Sequence, residues 1–180
     1  YIKSCFSIIN SFNFSINYRN YQLTDCTDNR SVQMSSKHCA FLVSGSSGTG
    51  KSTHSALWHD LYQTPLLNGD LNLLGIRNSI PYAYGLPWCG TSGICTPKDY
   101  PLGGIIFLKQ AAIDQVQSLQ PDEKVLHILQ RMISPAWTKE LLLRNLHFSE
   151  ALAPLIFSCR LYCTKEPSAA RTLKAVIDAL

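Results

Sequence analysis

The sequence contains no run of about 20 consecutive apolar residues, the length a membrane-spanning helix requires. It lacks any block of like charge: 16 basic and 12 acidic residues are scattered along 180 positions, for a net charge of +4. No basic stripe interleaved with aromatics occurs, which argues against a nucleic-acid partner. The mild positive excess suits an anionic small ligand. Cysteine is present, but paired cysteine is not. The seven are Cys5, Cys26, Cys39, Cys89, Cys95, Cys159 and Cys163, with no Cys-x-x-Cys among them. An odd count without metal-ligand spacing speaks against both a secreted disulfide framework and a zinc motif. Buried reduced thiols are expected instead. The first residues, Tyr1-Ile2-Lys3-Ser4-Cys5-Phe6, offer no clean apolar stretch with a small-residue cleavage site. A cytoplasmic protein is the default expectation, and a start at Tyr1 rather than Met points to a fragment or a processed form.

What is there is a globular composition, 46% apolar and 16% charged, in a chain long enough to bury a core. Residues 1–38 are rich in Ser, Asn and Tyr with weak periodicity, and read either as a few edge strands or as a poorly ordered lead-in. Residues 39–180 are expected to form the domain. Cys39-Ala40-Phe41-Leu42-Val43-Ser44 reads as a buried strand. A glycine-rich loop follows, then a helix from Lys51 to about Tyr62. Residues 65–74 read as a second strand with a break at Gly69, able to lie beside the first. A hairpin is expected at residues 73–76 and 80–84, a structured loop over 85–104 and a buried strand over 104–109. Helices are expected at 121–133, opened by Pro121-Asp122-Glu123, and at 138–155, capped by Thr138. A strand at 156–163 and a closing helix at 168–180 complete an α/β pattern.

The chemistry concentrates in Gly45-Ser46-Ser47-Gly48-Thr49-Gly50-Lys51-Ser52, which has the Walker A spacing Gly-x-x-x-x-Gly-Lys-Ser. Glycines at 45, 48 and 50 allow successive backbone N–H groups to converge on phosphate oxygens. The helix opening at Lys51 adds its N-terminal amides and dipole. Lys51 reaches the β- and γ-phosphates, Ser52 places a hydroxyl for magnesium, and Thr53 offers another donor. The pattern arises by chance in a chain of this length roughly 1% of the time. Together with the strand before it and the helix after it, it predicts binding of a nucleoside triphosphate, ATP with Mg2+. Phosphoryl transfer also needs a carboxylate for the metal. Asp70, one helix downstream and after the apolar pair Leu66-Leu67, is the candidate for both the metal and the catalytic role.

These residues resemble the small HPr-kinase-like proteins, which share a P-loop fold with HPr serine kinase/phosphorylase and ATP-dependent phosphoenolpyruvate carboxykinase. The resemblance rests on Phe41-Leu42-Val43-Ser44-Gly45, Lys51-Ser52-Thr53-His54, Trp58 and Leu67-Asn68-Gly69-Asp70. It continues through Tyr84-Gly85-Leu86-Pro87-Trp88-Cys89-Gly90-Thr91-Ser92-Gly93 and Pro101-Leu102-Gly103-Gly104-Ile105-Ile106-Phe107-Leu108, and covers roughly residues 39–180. It implies a mixed rather than purely parallel sheet and kinase-type transfer from magnesium ATP. HPr kinases have two adjacent aspartates after the second strand, where this chain has Gly69-Asp70, and their second signature segment toward the C-terminus is not found here. By the same family geometry, the loop of Trp88, Cys89, Thr91 and Ser92 is expected to run back toward the phosphates, with Thr91 and Ser92 as contacts and Trp88 as a wall; the alternative is a packed structural loop anchored by Trp88.

Other residues weighed are His54 as a substitute base or a packed helix histidine, and Lys109 and Arg131 as partners of a γ-phosphate or as surface cations. His127 and His147 read as helix-boundary residues. The leading functional reading is an ATP-dependent kinase acting on a hydroxyl of a protein, peptide or small molecule. A nucleotide-binding sensor or assembly module without transfer is the alternative, supported by Gly69. Transfer to a small carboxylate metabolite is a third reading, for which the basic residues look scattered. The acceptor and the oligomeric state are not specified by the sequence.

Overall fold

The computed structural model describes residues 6–17, 38–69, 71–87, 92–133 and 136–180. Its strands are β1 (Phe6–Asn17), β2 (His38–Ser44), β3 (Leu66–Asn68), β4 (Leu71–Arg77), β5 (Ile80–Tyr84), β6 (Tyr100–Gln110), β7 (Gln115–Ser118) and β8 (Phe157–Cys163). The helices are α1 (Lys51–Tyr62), α2 (Pro121–Leu129), α3 (Lys139–Leu152) and α4 (Pro167–Ile177). The sheet is mixed, as expected. β6 lies parallel between β2 and β8, and the remaining pairings are antiparallel.

The parallel strands are apolar because both of their faces are covered. Along β2, Ala40 and Leu42 pack with Leu102, Ile105, Phe107, Ile128, Phe148 and Leu152, the side of α2 and α3. Cys39, Phe41 and Val43 turn the opposite way, toward Trp58, Ile106, Leu161, Ala170 and Leu173, the side of α1 and α4. This alternation is the period-2 signature of a strand between two helical layers. Phe41 and the Phe157 backbone together explain the two glycines of β6. A Cβ on Gly103 would stand 2.8 Å from the Phe41 ring, and one on Gly104 would stand 2.7 Å from the Phe157 carbonyl.

Several expected elements appear with small changes in extent. Gly69 does break the second strand, into β3 and β4. The hairpin turns on Asn78 and Ser79, both with positive φ (53° and 62°), as a two-residue turn of matching twist requires. Thr138 caps α3, its hydroxyl accepting from the Leu141 N–H at 3.3 Å. β6 starts earlier than expected because the Tyr100-Pro101 end pairs with β5 before the rest joins β2 and β8.

Three expectations need correction. The second strand does not lie beside β2: β3 pairs with β1, and β2 already has β1 and β6 as neighbours. Residues 6–17 form an interior strand, paired through residues 11–17 with β2 and through residues 6–10 with β4. Phe12, Phe14 and Ile16 alternate with Asn13, Ser15 and Asn17, a short period-2 pattern masked by the polar composition around it. β7, with the sequence Gln-Val-Gln-Ser, adds a strand to the expected set, in a four-residue polar segment that carries almost no strand signal. Long strands β1 and β6 each pair on two sides, so β2, β1, β4, β5 and β6 close into a ring of hydrogen-bonded neighbours.

Among the described residues, no helix is long and apolar enough to cross a membrane. Cys39, Cys159 and Cys163 are buried free thiols, as expected of structural cysteines, whereas Cys95 is exposed. Burial pushes the Cys39 thiol up to about 11 and Cys159 up to about 12, so neither ionises near neutral pH.

Candidate functional site

The glycine loop leaves the C-terminal end of β2 and runs directly into α1. Gly48 and Gly50 take φ of 77° and 92°, the left-handed region that side chains disfavour. Gly45 is needed for a different reason: a Cβ there would meet the Thr49 hydroxyl at 2.6 Å. That hydroxyl donates to the Ser46 carbonyl at 2.7 Å and closes the loop on itself. No side chain caps α1, and its first i to i−4 bond is His54 N–H to Gly50 C=O at 2.8 Å. The amides ahead of that bond belong to the loop and form the positive end of the helix dipole.

Lys51 folds back over this concavity. Its ammonium donates to the carbonyls of Gly45 and Ser46, each at 3.0 Å, so the cation sits across the loop rather than out in solvent. From the end of β6, the Gln110 amide donates to the Gly48 carbonyl at 3.0 Å and pins the far side of the loop. Arg131, in the turn after α2, brings a guanidinium N–H to 3.4 Å from the Ser46 hydroxyl, while its Nε is buried with no hydrogen-bond partner.

Two clefts flank the loop. The first, about 630 Å3, is bounded by loop residues, Lys51, Ser52, Thr53 and Arg131. The second, about 480 Å3, shares Arg131 and adds Lys109, His127 and Arg160. Among the described residues, no carboxylate lines either one. Basic residues that looked scattered in the sequence are therefore gathered by the fold. The Arg160 guanidinium donates to His127 Nε2 at 2.6 Å and to Gln117 Oε1 at 3.1 Å. Burial and the neighbouring Arg160 hold His127 below its ordinary pKa, with Glu123 opposing, so its ring stays neutral and accepting.

His54 resolves toward the packed reading. It is buried, its Nε2 accepts from the Trp58 indole at 3.0 Å, and burial drives its pKa down to about 4 against the opposing pull of Asp114. Its proton therefore sits on Nδ1, leaving no basic nitrogen exposed to an acceptor. Ser92 accepts from Ile94 N–H at 3.2 Å and is not among the residues lining the two clefts, although Ile94 C=O accepts from Gly69 N–H and so ties this segment to the β3–β4 break. Asp70, Trp88, Cys89, Gly90 and Thr91 lie outside the described residues.

Sequence reasoning missed Gln110, His127 and Arg160 as neighbours of the loop. Gln110 and Arg160 lie on β6 and β8, the parallel partners on one side of β2, and only the strand order brings them to it. No family model matches this chain, and no curated protein matches it. Among solved structures it is similar to the HPr(Ser) kinase/phosphatase from Coxiella burnetii, at 10% identity and a TM-score of 0.39 over 97% of this chain and 87% of that one. The likeness is distant, and no feature of the site depends on it.

Proposed function

We propose that this chain binds a magnesium nucleoside triphosphate, ATP, through residues 45–53 and transfers its terminal phosphoryl group to a hydroxyl of a protein, peptide or small molecule. The observation that supports this most is the loop itself. Gly48 and Gly50 in the left-handed region, an uncapped α1 and an ammonium drawn over the loop carbonyls make one concave, cationic surface matched to a polyphosphate. The donor set fits the ligand, and Ser52 is exposed at the helix start, where a hydroxyl suits magnesium.

In this reading Lys51 exchanges its two carbonyl partners for oxygens of the β- and γ-phosphates. Arg131 gains for its guanidinium an anionic partner, which it lacks among the described residues. Both cations then oppose the charge that spreads over the transferring group. Ser52 and Asp70 are the proposed protein ligands of a magnesium ion, which would offset the charge of the phosphates. The base that takes the acceptor proton is unassigned, since His54 has no free basic nitrogen. A sensor without transfer remains the second reading, favoured by Gly69 where the resembling kinases carry an acid.

Calorimetric titration of magnesium ATP, with ADP release followed in the same samples, tests both. Binding that falls at least about tenfold in Lys51→Ala, accompanied by ADP release in the unmutated protein, supports the kinase. Binding without release favours the sensor, and absence of binding overturns the proposal.

A further inference from the structure

A third cleft, of about 350 Å3, adjoins the glycine loop at Thr49, Gly50 and Thr53 and is not lined by Arg131. Its volume is within the range of about 300–1,000 Å3 typical of small-molecule sites. It shares Gly50 and Thr53 with the phosphate cleft, so a single extended ligand can lie across both. Three parallel strands end there: the loop after β2, Gln110 and Ala111 at the end of β6, and Cys163 to Lys165 at the end of β8. The crevice beyond the carboxyl ends of parallel strands is where open α/β sheets hold their ligands.

Resting on the reading that residues 45–53 hold phosphates, we infer that this cleft is the base-and-ribose subsite, which makes the ligand a nucleotide rather than a bare polyphosphate or a phosphorylated metabolite. Leu57 and Ala111, both half-buried, supply apolar surface for the faces of a base. Thr164 and Lys165 supply polar groups at the rim. Gln110 is fixed, because its amide nitrogen donates to the Gly48 carbonyl and leaves its oxygen free to accept from an exocyclic amine. The wall is anchored from behind. Asp114 accepts from the Thr164 N–H at 2.7 Å and from the Ser168 hydroxyl, and Ala111 N–H donates to Cys163 C=O at 3.0 Å. His54 lines the same cleft, with its Nδ1 buried and without a hydrogen-bond partner. The ring is held by Trp58 and kept neutral, so it adds a donor and no charge to the wall.

The test compares magnesium ATP with magnesium tripolyphosphate, which carries the phosphates without the nucleoside. The unmutated protein is expected to bind ATP at least about tenfold more tightly. Ala111→Phe, which fills the cleft, is expected to remove that advantage while leaving tripolyphosphate affinity within about twofold. In methyl-labelled unmutated protein, the Leu57 and Ala111 signals are expected to shift with ATP and not with tripolyphosphate, a readout that does not depend on the variant folding. Equal affinity for the two ligands, or silent Leu57 and Ala111 methyls at ATP saturation, overturns the subsite and leaves the phosphate reading standing. Failure of both ligands to bind overturns the phosphate reading itself.

Discussion

The parallel strands β2, β6 and β8 and the antiparallel hairpin β4–β5 share one sheet but are built to different rules. In the parallel part, side chains are buried on both faces, backbones approach closely at Gly103 and Gly104, and every strand ends at the candidate site. In the hairpin, burial alternates along each strand, the turn is exposed, and no residue lines the clefts beside the loop. The difference teaches that rigidity and chemistry are concentrated together here. The loop that must hold a highly charged ligand hangs from the least yielding strand, while the hairpin contributes a packed face.

The strongest way to break that comparison is to empty each part in turn. Phe41 is fully buried and braces both glycines of β6, so Phe41→Ala should cost about 3–5 kcal/mol in denaturant unfolding. It should also weaken magnesium ATP binding, because β2 carries the loop. Leu74→Ala in the hairpin, also at a fully buried position, should cost about 2–5 kcal/mol yet leave affinity within about twofold. Equal losses of affinity from both would show that the site depends on global stability and not on β2.

Next in size is a change at the site that spares the fold. Arg131→Met keeps much of the side-chain bulk and removes the guanidinium. The loss of a charge-assisted contact, about 1.5–3 kcal/mol, should lower magnesium ATP affinity roughly tenfold or more with little change in the unfolding midpoint. An unchanged affinity would remove Arg131 from the phosphate site and return it to the surface cations.

Acid provides a third probe, acting through His54 on α1. Its folded pKa of about 4 lies below the ordinary 6.5, so between these values the unfolded chain binds more protons than the folded one. Stability should therefore fall as pH drops through that window, at no more than about 1.4 kcal/mol per pH unit from this group. In His54→Gln that component of the slope should vanish. A slope unchanged by the substitution would mean that other groups set the acid limit. The smallest effect belongs to the hairpin: Ser79 holds a positive φ that glycine adopts without strain, so Ser79→Gly should stabilise by about 0.5–1 kcal/mol and leave nucleotide affinity untouched.

The parts of the molecule that could be read from the sequence are those whose signal is contiguous. The glycine loop with its strand and helix, the hairpin of β4 and β5 and the Thr138 cap are each legible within a short stretch of sequence, and each appears as expected. What could not be read depends on strand order. Arg160 and Gln110 are far from the loop in sequence and meet it only because β6 and β8 lie on one side of β2. The same holds for β1, whose Ser and Asn content hid a strand that inserts between β2 and β3. Local pattern gave the elements, and long-range hydrogen bonding decided their neighbours.

The ring formed by β2, β1, β4, β5 and β6 has a bearing on self-association. A strand with a vacant flank is a template on which another chain can add by backbone hydrogen bonding. Ring closure leaves these five strands, including the most apolar ones, already flanked by partners. On the path beyond the ring the sheet stops at β7, four residues of sequence Gln-Val-Gln-Ser with Gln115, Gln117 and Ser118 exposed. A terminus so short and so polar is a poor seed for stacking into fibres; among the described residues the three-residue β3, paired with β1 alone, is another strand with an open flank, and it too is short.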